Sequence, residues 1–398
     1  MNKKNILGEI YMKKIMIFYA AYGGGHLSAA RSIKECLETN YPDVDVALVD
    51  CMEYVNKAVN SVTKMAYTEM AKKAPKTWGK LYWNSQKGPI AQISTVSNMI
   101  LSQKLCKLLK SFKPEIIIST HPFGSQMCAY LKKQGKLTAK LATVMTDYAP
   151  HDQWLVFNKY VDYFFVSHEG MKKKLHEKNI PNEKIFATGI PLSNKFLLKY
   201  NKSQILENFG LSPNKKTVLF FGGGEFGLGK KQTFNIFKSF VESYENIQVV
   251  AISGKNHKMK KEFEDLVNEL NKNEFVKILE YTDKVPQLMS ISDLVVTKPG
   301  GLTTTESLAS GLPIVIINPI PGQEEENATY LEENKVAIWI RKGDNVEKIL
   351  DDLFSNPDKI QEMKVRARII AKKNSTKDIC KILLQWENRV GPFFSIPS

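Results

Sequence analysis

The sequence has no CxxC pair, no HExxH and no apolar run near the roughly 18 residues of a membrane-spanning helix. Its five cysteines, Cys36, Cys51, Cys106, Cys128 and Cys380, are scattered without metal-ligand spacing. That excludes a disulfide framework and a zinc ribbon, and reduced thiols are expected. The apolar stretch Ile15–Ala21 behind Lys13-Lys14 is short for a signal peptide and runs straight into a glycine loop, so it reads as a first β-strand. The Asp43-Val44-Asp45 triplet opens a probable strand and is read as part of it rather than as a metal site. Acidic residues are scarce in one half only. Residues 1–200 hold 29 Lys and Arg against 15 Asp and Glu, a balance of +14, which leaves +1 of the net +15 for residues 201–398. A basic half points to a polyanionic partner. No DNA- or RNA-binding module is present and lysine far outnumbers arginine, which argues against base readout and for an anionic membrane surface.

Short, nearly all-apolar runs alternate with amphipathic ones. Strands are expected over 15–20, 44–49, 116–119, 141–146 and 163–167, then over 217–221, 247–252, 276–279, 294–297 and 314–317. Helices are expected between them, for example over 28–38 and 304–309. This alternation predicts an α/β protein with parallel sheets covered on both faces. The pattern stalls in the polar stretch 199–216, which divides the chain into domains over residues 1–200 and 201–375, with 376–398 expected as a C-terminal helix returning to the first. Two Rossmann-like domains facing a central cleft would hold a ligand at the carboxyl ends of both sheets.

Glycine loops sit where such a ligand would lie. Gly23-Gly24-Gly25-His26 joins the first strand to the first helix, where backbone N–H groups and a helix N-terminus favour an anion. With Asp50 it resembles a dinucleotide fingerprint, but the third glycine is missing and His26 would crowd a pyrophosphate. In the second half, Gly222-Gly223-Gly224 follows one strand and Gly254-Lys255-Asn256 another. Pro299-Gly300-Gly301 leads into Thr303 and Glu306, and Gln323 and Glu324 follow the next strand. Glycines and threonines suit phosphates, a carboxylate suits a ribose diol, and further polar side chains suit hydroxyls. Together they describe a nucleotide-sugar site.

The stretch PGGLTTTESLASGLPIVIINPIPGQEEENATYL resembles the donor domain of the MurG-like inverting glycosyltransferases of GT-B fold. Within that family YAAYGGGHLSAA, VMTDYAPHDQW, ATGIPLSNKF and PGQEEEN are similar to the processive diacylglycerol β-glucosyltransferases and to the monogalactosyldiacylglycerol synthases. The resemblance covers about residues 14–375 and implies two Rossmann-like domains with a C-terminal helix, placed at 381–389, crossing back to the first. It implies a UDP-hexose co-substrate, a diacylglycerol acceptor, and no metal or other cofactor. Glu306 would bind the ribose, Gln323 and Glu324 the transferred sugar, and Gly300, Gly301 and Thr303 the diphosphate, with Gly222, Gly223 and Gly224 facing them and Lys255 and Asn256 alongside. Tyr281 would pack on the uracil. The general base would be His26 or Asp147, with Gly25, His151 and Trp154 on the acceptor side. Glucose and galactose differ at one hydroxyl, and no residue distinguishes them here. A transferase acting on another lipid-linked acceptor is the neighbouring alternative.

Residues 57–87 carry seven lysines, one acidic residue and the aromatics Trp78, Tyr82 and Trp83. Lysines with interfacial aromatics suit the surface of an anionic bilayer. Lys72, Lys73, Trp78, Lys80 and Trp83 are the expected contacts, placing the protein peripherally on the cytoplasmic face of the cell membrane.

Overall fold

The computed structural model describes residues 12–55, 57, 77, 80, 84, 89–222, 230–243 and 246–385. Twelve strands among them form two parallel sheets. The first contains β1 (Lys13–Tyr19), β2 (Val44–Asp50), β3 (Ile116–Ser119), β4 (Lys140–Val144), β5 (Tyr163–Phe165) and β6 (Ile185–Phe186), in the order β2-β1-β3-β4-β5-β6. The second contains β7 (Lys216–Phe221), β8 (Ile247–Ile252), β9 (Val276–Leu279), β10 (Leu294–Thr297), β11 (Ile314–Ile317) and β12 (Ala337–Ile340), in the order β12-β11-β10-β7-β8-β9.

The apolar runs form strands because both faces of each sheet are covered. Phe18, Ile117 and Phe164 pack into one core, while their chain neighbours Ile17, Ile118 and Phe165 pack into the core on the opposite face. Three strand expectations ran too far: β1 ends at Tyr19, β4 at Val144 and β5 at Phe165, so Asp147 lies in a bend three residues past its strand. The polar stretch 199–216 is not structureless. It contains the helix Lys202–Asn208, capped by Asn201 and anchored by the buried Ile205.

The strand order reverses once in each sheet. Chain leaving β1 turns to β2 on one side and reaches β3 on the other; chain leaving β7 turns to β8 and later reaches β10. Such switch points open a crevice at the carboxyl ends of the strands. The first switch point is flanked by the loops carrying His26 and Thr120, and the second by those carrying Gly222 and Gly300.

Two chain segments link the halves. One follows β6; the other joins the helix Pro357–Ile370 to the helix Ser375–Gln385. They are tied together: Leu192 N–H donates to Thr376 Oγ1 and Thr376 Oγ1 donates to Leu192 O, both at 2.8 Å. Gly189 sits against the second segment at φ +94°, where a Cβ would lie 2.4 Å from Lys372 Cβ. The crossing helix starts at Ser375, one residue before the expected 376, and residues 386–398 are outside the described set. Its Ile379, Cys380 and Leu383 pack on Ile33, Cys36 and Leu37 of the helix Gly25–Asn40, so the last described helix belongs to the core of the first half.

Candidate active site

The glycine loop after β1 turns at Gly23, with φ +79°, into the helix Gly25–Asn40 and sets His26 in its first turn. His26 Nδ1 lies 2.6 Å from Thr120 O and 3.1 Å from Thr146 Oγ1. A carbonyl oxygen can only accept, so Nδ1 carries the proton and Nε2 is the basic nitrogen. Thr120 closes the arrangement by donating Oγ1–H to His26 O at 2.9 Å. The His121 ring meets His26 edge-on at 4.5 Å, and Trp154 lies 6.5 Å away. Burial lowers the His26 pKa, against the pull of Asp147 and of the bond to Thr120, so the imidazole is kept neutral.

Asp147 is 7% exposed and faces both halves. Burial raises its pKa; hydrogen bonds from Gln323 and Asn327 and the nearby His26 and His151 oppose that rise. Asn327 Nδ2 donates to Asp147 Oδ1 at 3.3 Å. The halves meet closely here. A Cβ on Gly301 would fall 1.9 Å from Thr146 O, and one on Gly25 would fall 3.3 Å from Leu302. Only glycine allows the N-terminus of the helix Gly301–Ala309 to sit against the Thr146–Asp147 bend.

Burial shifts three ionisable groups of the second half. Lys298 Nζ, just before the Pro299-Gly300-Gly301 turn, has no hydrogen-bond partner among the described residues, and burial lowers its pKa. Burial alone raises Glu306 to about 8. Glu324 is also raised by burial, with Lys298 opposing; its Oε2 accepts from Ile320 N–H at 2.6 Å. A buried lysine and buried carboxyls beyond the strand ends suit a ligand that carries both an anion and hydroxyl donors. Among the described residues no group of three His, Cys, Asp or Glu side chains could hold a metal ion, and no helix is long and apolar enough to cross a membrane.

The remaining sequence candidates spread along the strand ends. Thr303 lies in the first turn of the helix Gly301–Ala309. Asn256 is occupied in capping the helix His257–Glu269, accepting from Met259 N–H at 3.1 Å, while Lys255 and Tyr281 are exposed. Gly222 donates its N–H to Ile252 O at 2.9 Å. It is buried, and a Cβ there would sit 2.7 Å from Phe263 Cε2, so core packing demands the glycine. Gly223 and Gly224 lie outside the described residues, as do Lys72, Lys73, Trp78 and Trp83; Lys80 is exposed. His151 and Trp154 part company: His151 Nδ1 accepts from Gln153 N–H at 3.1 Å, whereas Trp154 is 3% exposed and belongs to the core under His26. Asp50, the acidic residue of the dinucleotide-like pattern, accepts from Met52 and Glu53 N–H.

Sequence reasoning missed Thr120, Thr146, Lys298 and Asn327, and with them a ring stack across the seam. Tyr148 OH pairs with Thr305 Oγ1 at 2.9 Å, and Tyr330 stacks on Tyr148 at 4.9 Å and on His168 at 4.1 Å.

Residues 26–192 match the monogalactosyldiacylglycerol (MGDG) synthase family, and residues 217–382 match the glycosyltransferase family 28 C-terminal domain. A processive diacylglycerol beta-glucosyltransferase of Bacillus cereus is 30% identical over 380 residues, covering 95% of each chain. The chain belongs to the processive diacylglycerol β-glucosyltransferase family. The Bacillus licheniformis protein of the same name is 29% identical over 374 residues, covering 94% of this chain and 95% of its own. Among solved structures, Acinetobacter baumannii MurG aligns with a TM-score of 0.64 at 14% identity, covering 94% of this chain and 99% of its own. MnaA of S. aureus, solved with UDP, aligns at 0.62 and 14% identity, covering 97% and 100%. These two establish the GT-B-like fold of paired α/β halves.

Proposed function

We propose that this family member transfers glucose from UDP-glucose to the free hydroxyl of diacylglycerol with inversion, and can extend the product by further glucose units. The observation that carries the reading is the fixed tautomer of His26 beside Asp147, Gln323 and Gly301. A neutral imidazole with a basic Nε2 suits removal of the acceptor's proton as its oxygen attacks the anomeric carbon. Asp147, whose carboxylate is held by Gln323 and Asn327, suits stabilisation of the imidazolium that forms. A single displacement turns an α-linked donor into a β-glycoside.

The second half supplies the donor contacts. The N-terminus of the helix Gly301–Ala309 favours the diphosphate and its growing charge as UDP leaves. Glu306 accepts from the ribose diol, Tyr281 covers the uracil, and Gln323 and Glu324 hold the hexose. No metal takes part. The basic first half, with the lysines and aromatics of 57–87, holds the protein peripherally on an anionic cytoplasmic membrane face.

Galactose as the transferred sugar is the second reading, favoured by the MGDG-synthase match. That match covers residues 26–192, however, whereas the sugar contacts lie at Gln323 and Glu324; the glucosyltransferase relatives align across both halves. The test incubates purified protein with diacylglycerol in anionic vesicles and either UDP-glucose or UDP-galactose, with EDTA present, and weighs the lipids by mass spectrometry. One or more hexoses from UDP-glucose is the expected result. Product only from UDP-galactose moves the assignment to galactolipid synthesis, and product that needs added divalent ion overturns metal independence.

A further inference from the structure

Asn327 lies on the helix Gln323–Glu333, is fully buried, and uses every polar atom of its amide. Oδ1 accepts from Tyr148 N–H at 2.8 Å, while Nδ2 donates to Pro299 O at 3.0 Å and to Asp147 Oδ1 at 3.3 Å. Two partners belong to the first half, on either side of one peptide. The third is the carbonyl that opens the glycine turn of the second half. One acceptor and two donors in this geometry are what a primary amide offers; an aspartate has no N–H and an alanine has nothing.

Asn327 stands one helical turn beyond Gln323, which also donates to Asp147, so one helix face supplies both hydrogen bonds to that carboxylate. The Asp147 carboxylate therefore has its orientation completed only when the second half is docked. The Pro299 carbonyl fixes the amide, and the amide fixes both Asp147 and the backbone that follows it.

We propose that Asn327 is a positioning residue that couples closure of the two halves to the geometry of the base, turning Asp147 toward His26 only when the Gly300–Gly301 turn is seated. The inference rests on the transferase reading for its kinetic consequence, but its structural consequence stands apart from the identity of the acceptor. Replacing the amide by a carboxylate sets like charge against Asp147 Oδ1 and a lone pair against Pro299 O. Replacing it by alanine leaves buried groups unpaired.

The test compares wild type, N327D and N327A by diacylglycerol glucosylation across pH, by UDP affinity, and by small-angle scattering with and without UDP. In both variants kcat is expected to fall about 10- to 100-fold with UDP affinity little changed. The acidic limb of the pH profile should move to higher pH, further in N327D than in N327A, because a neighbouring carboxylate and a lost donor both disfavour ionised Asp147. Scattering should show the variants more extended than wild type. Lower thermal stability with an unmoved pH profile, an unchanged kcat per folded molecule and wild-type scattering would overturn the proposal. Wild-type protein that makes no glycolipid would overturn the transferase reading alone, and the scattering comparison would still decide the coupling. N327A keeps the test falsifiable should N327D fail to fold.

Discussion

Glu306 carries a carboxyl that burial lifts to about 8, and the ribose diol proposed for it donates two hydrogen bonds. Those donors favour the ionised form, so donor binding near pH 7 should expel about one proton. Titration calorimetry of UDP in buffers of different ionisation enthalpy measures it directly; E306Q should abolish the release and weaken binding. The same group acts on stability with the reverse of the usual carboxylate sign. Its folded pKa lies above the unfolded 4.5, so the folded chain holds the extra proton, and stability is lost as pH rises from about 4.5 through about 8. E306Q should therefore melt higher than wild type at pH 8 and above. His26 is lowered by burial, so the base stays neutral and turnover persists to pH values below the ordinary 6.5 of a histidine. H26A should cut kcat by about 100-fold or more while UDP affinity stays within a few-fold, as loss of a general base does; lost UDP binding with intact turnover would refute the role. His26, Asp147, Gln323 and Glu324 were legible because each stands at a loop that the strand pattern brings to the crevice. Thr120 was not, since 94 residues separate it from His26 and only the pairing of β1 with β3 joins them. Asn327, 180 residues from Asp147, did leave a trace: it follows Gln323 at the four-residue spacing of one helix face.

Among elements, the helices that start at glycine carry the most demanding geometry. The helix Gly301–Ala309 can reach the first half only while its first residue lacks a side chain, given the 1.9 Å between a Cβ there and Thr146 O. G301A should keep this helix folded and hold the halves apart. Turnover is then expected to drop by about 100-fold or more, as misplacement by about 1 Å does, and scattering should show a larger radius of gyration. Wild-type activity in G301A would mean that this contact is not part of the working state. Strands buried on both faces were readable from their apolar runs. β6 was not, because two residues carry no pattern, and β12 was not, because it lies at the sheet edge with Ile338 and Trp339 only partly covered. The helix Lys202–Asn208 escaped notice for a related reason: it turns one buried side chain, Ile205, toward the core and leaves the others wholly or partly outside.

At the level of the molecule, charge divides the two halves where composition alone does not. The +14 of residues 1–200 is proposed to meet the bilayer and the nearly neutral second half to meet the nucleotide. Replacing Lys72, Lys73, Lys76 and Lys80 together by Glu should remove binding to anionic vesicles, since each lysine near such a surface contributes about 1 kcal/mol. Turnover on a short-chain, dispersed acceptor should survive. Raised salt should weaken wild-type binding in the same way. Vesicle binding that ignores both changes would place the docking surface elsewhere.

The paired crossings between the halves have a mechanical consequence. A single tether would let one body swivel, twist and slide over the other. Here two chain segments run side by side, laced by the reciprocal Leu192–Thr376 bonds and pressed together at Gly189 and Lys372. Like a door hung on two pins, such a pair of links would favour one axis of swing over the others. A hinge of this form would return Gly301 to the same spot on the Thr146 carbonyl at every closure, so that the reacting groups regain their alignment without searching for it.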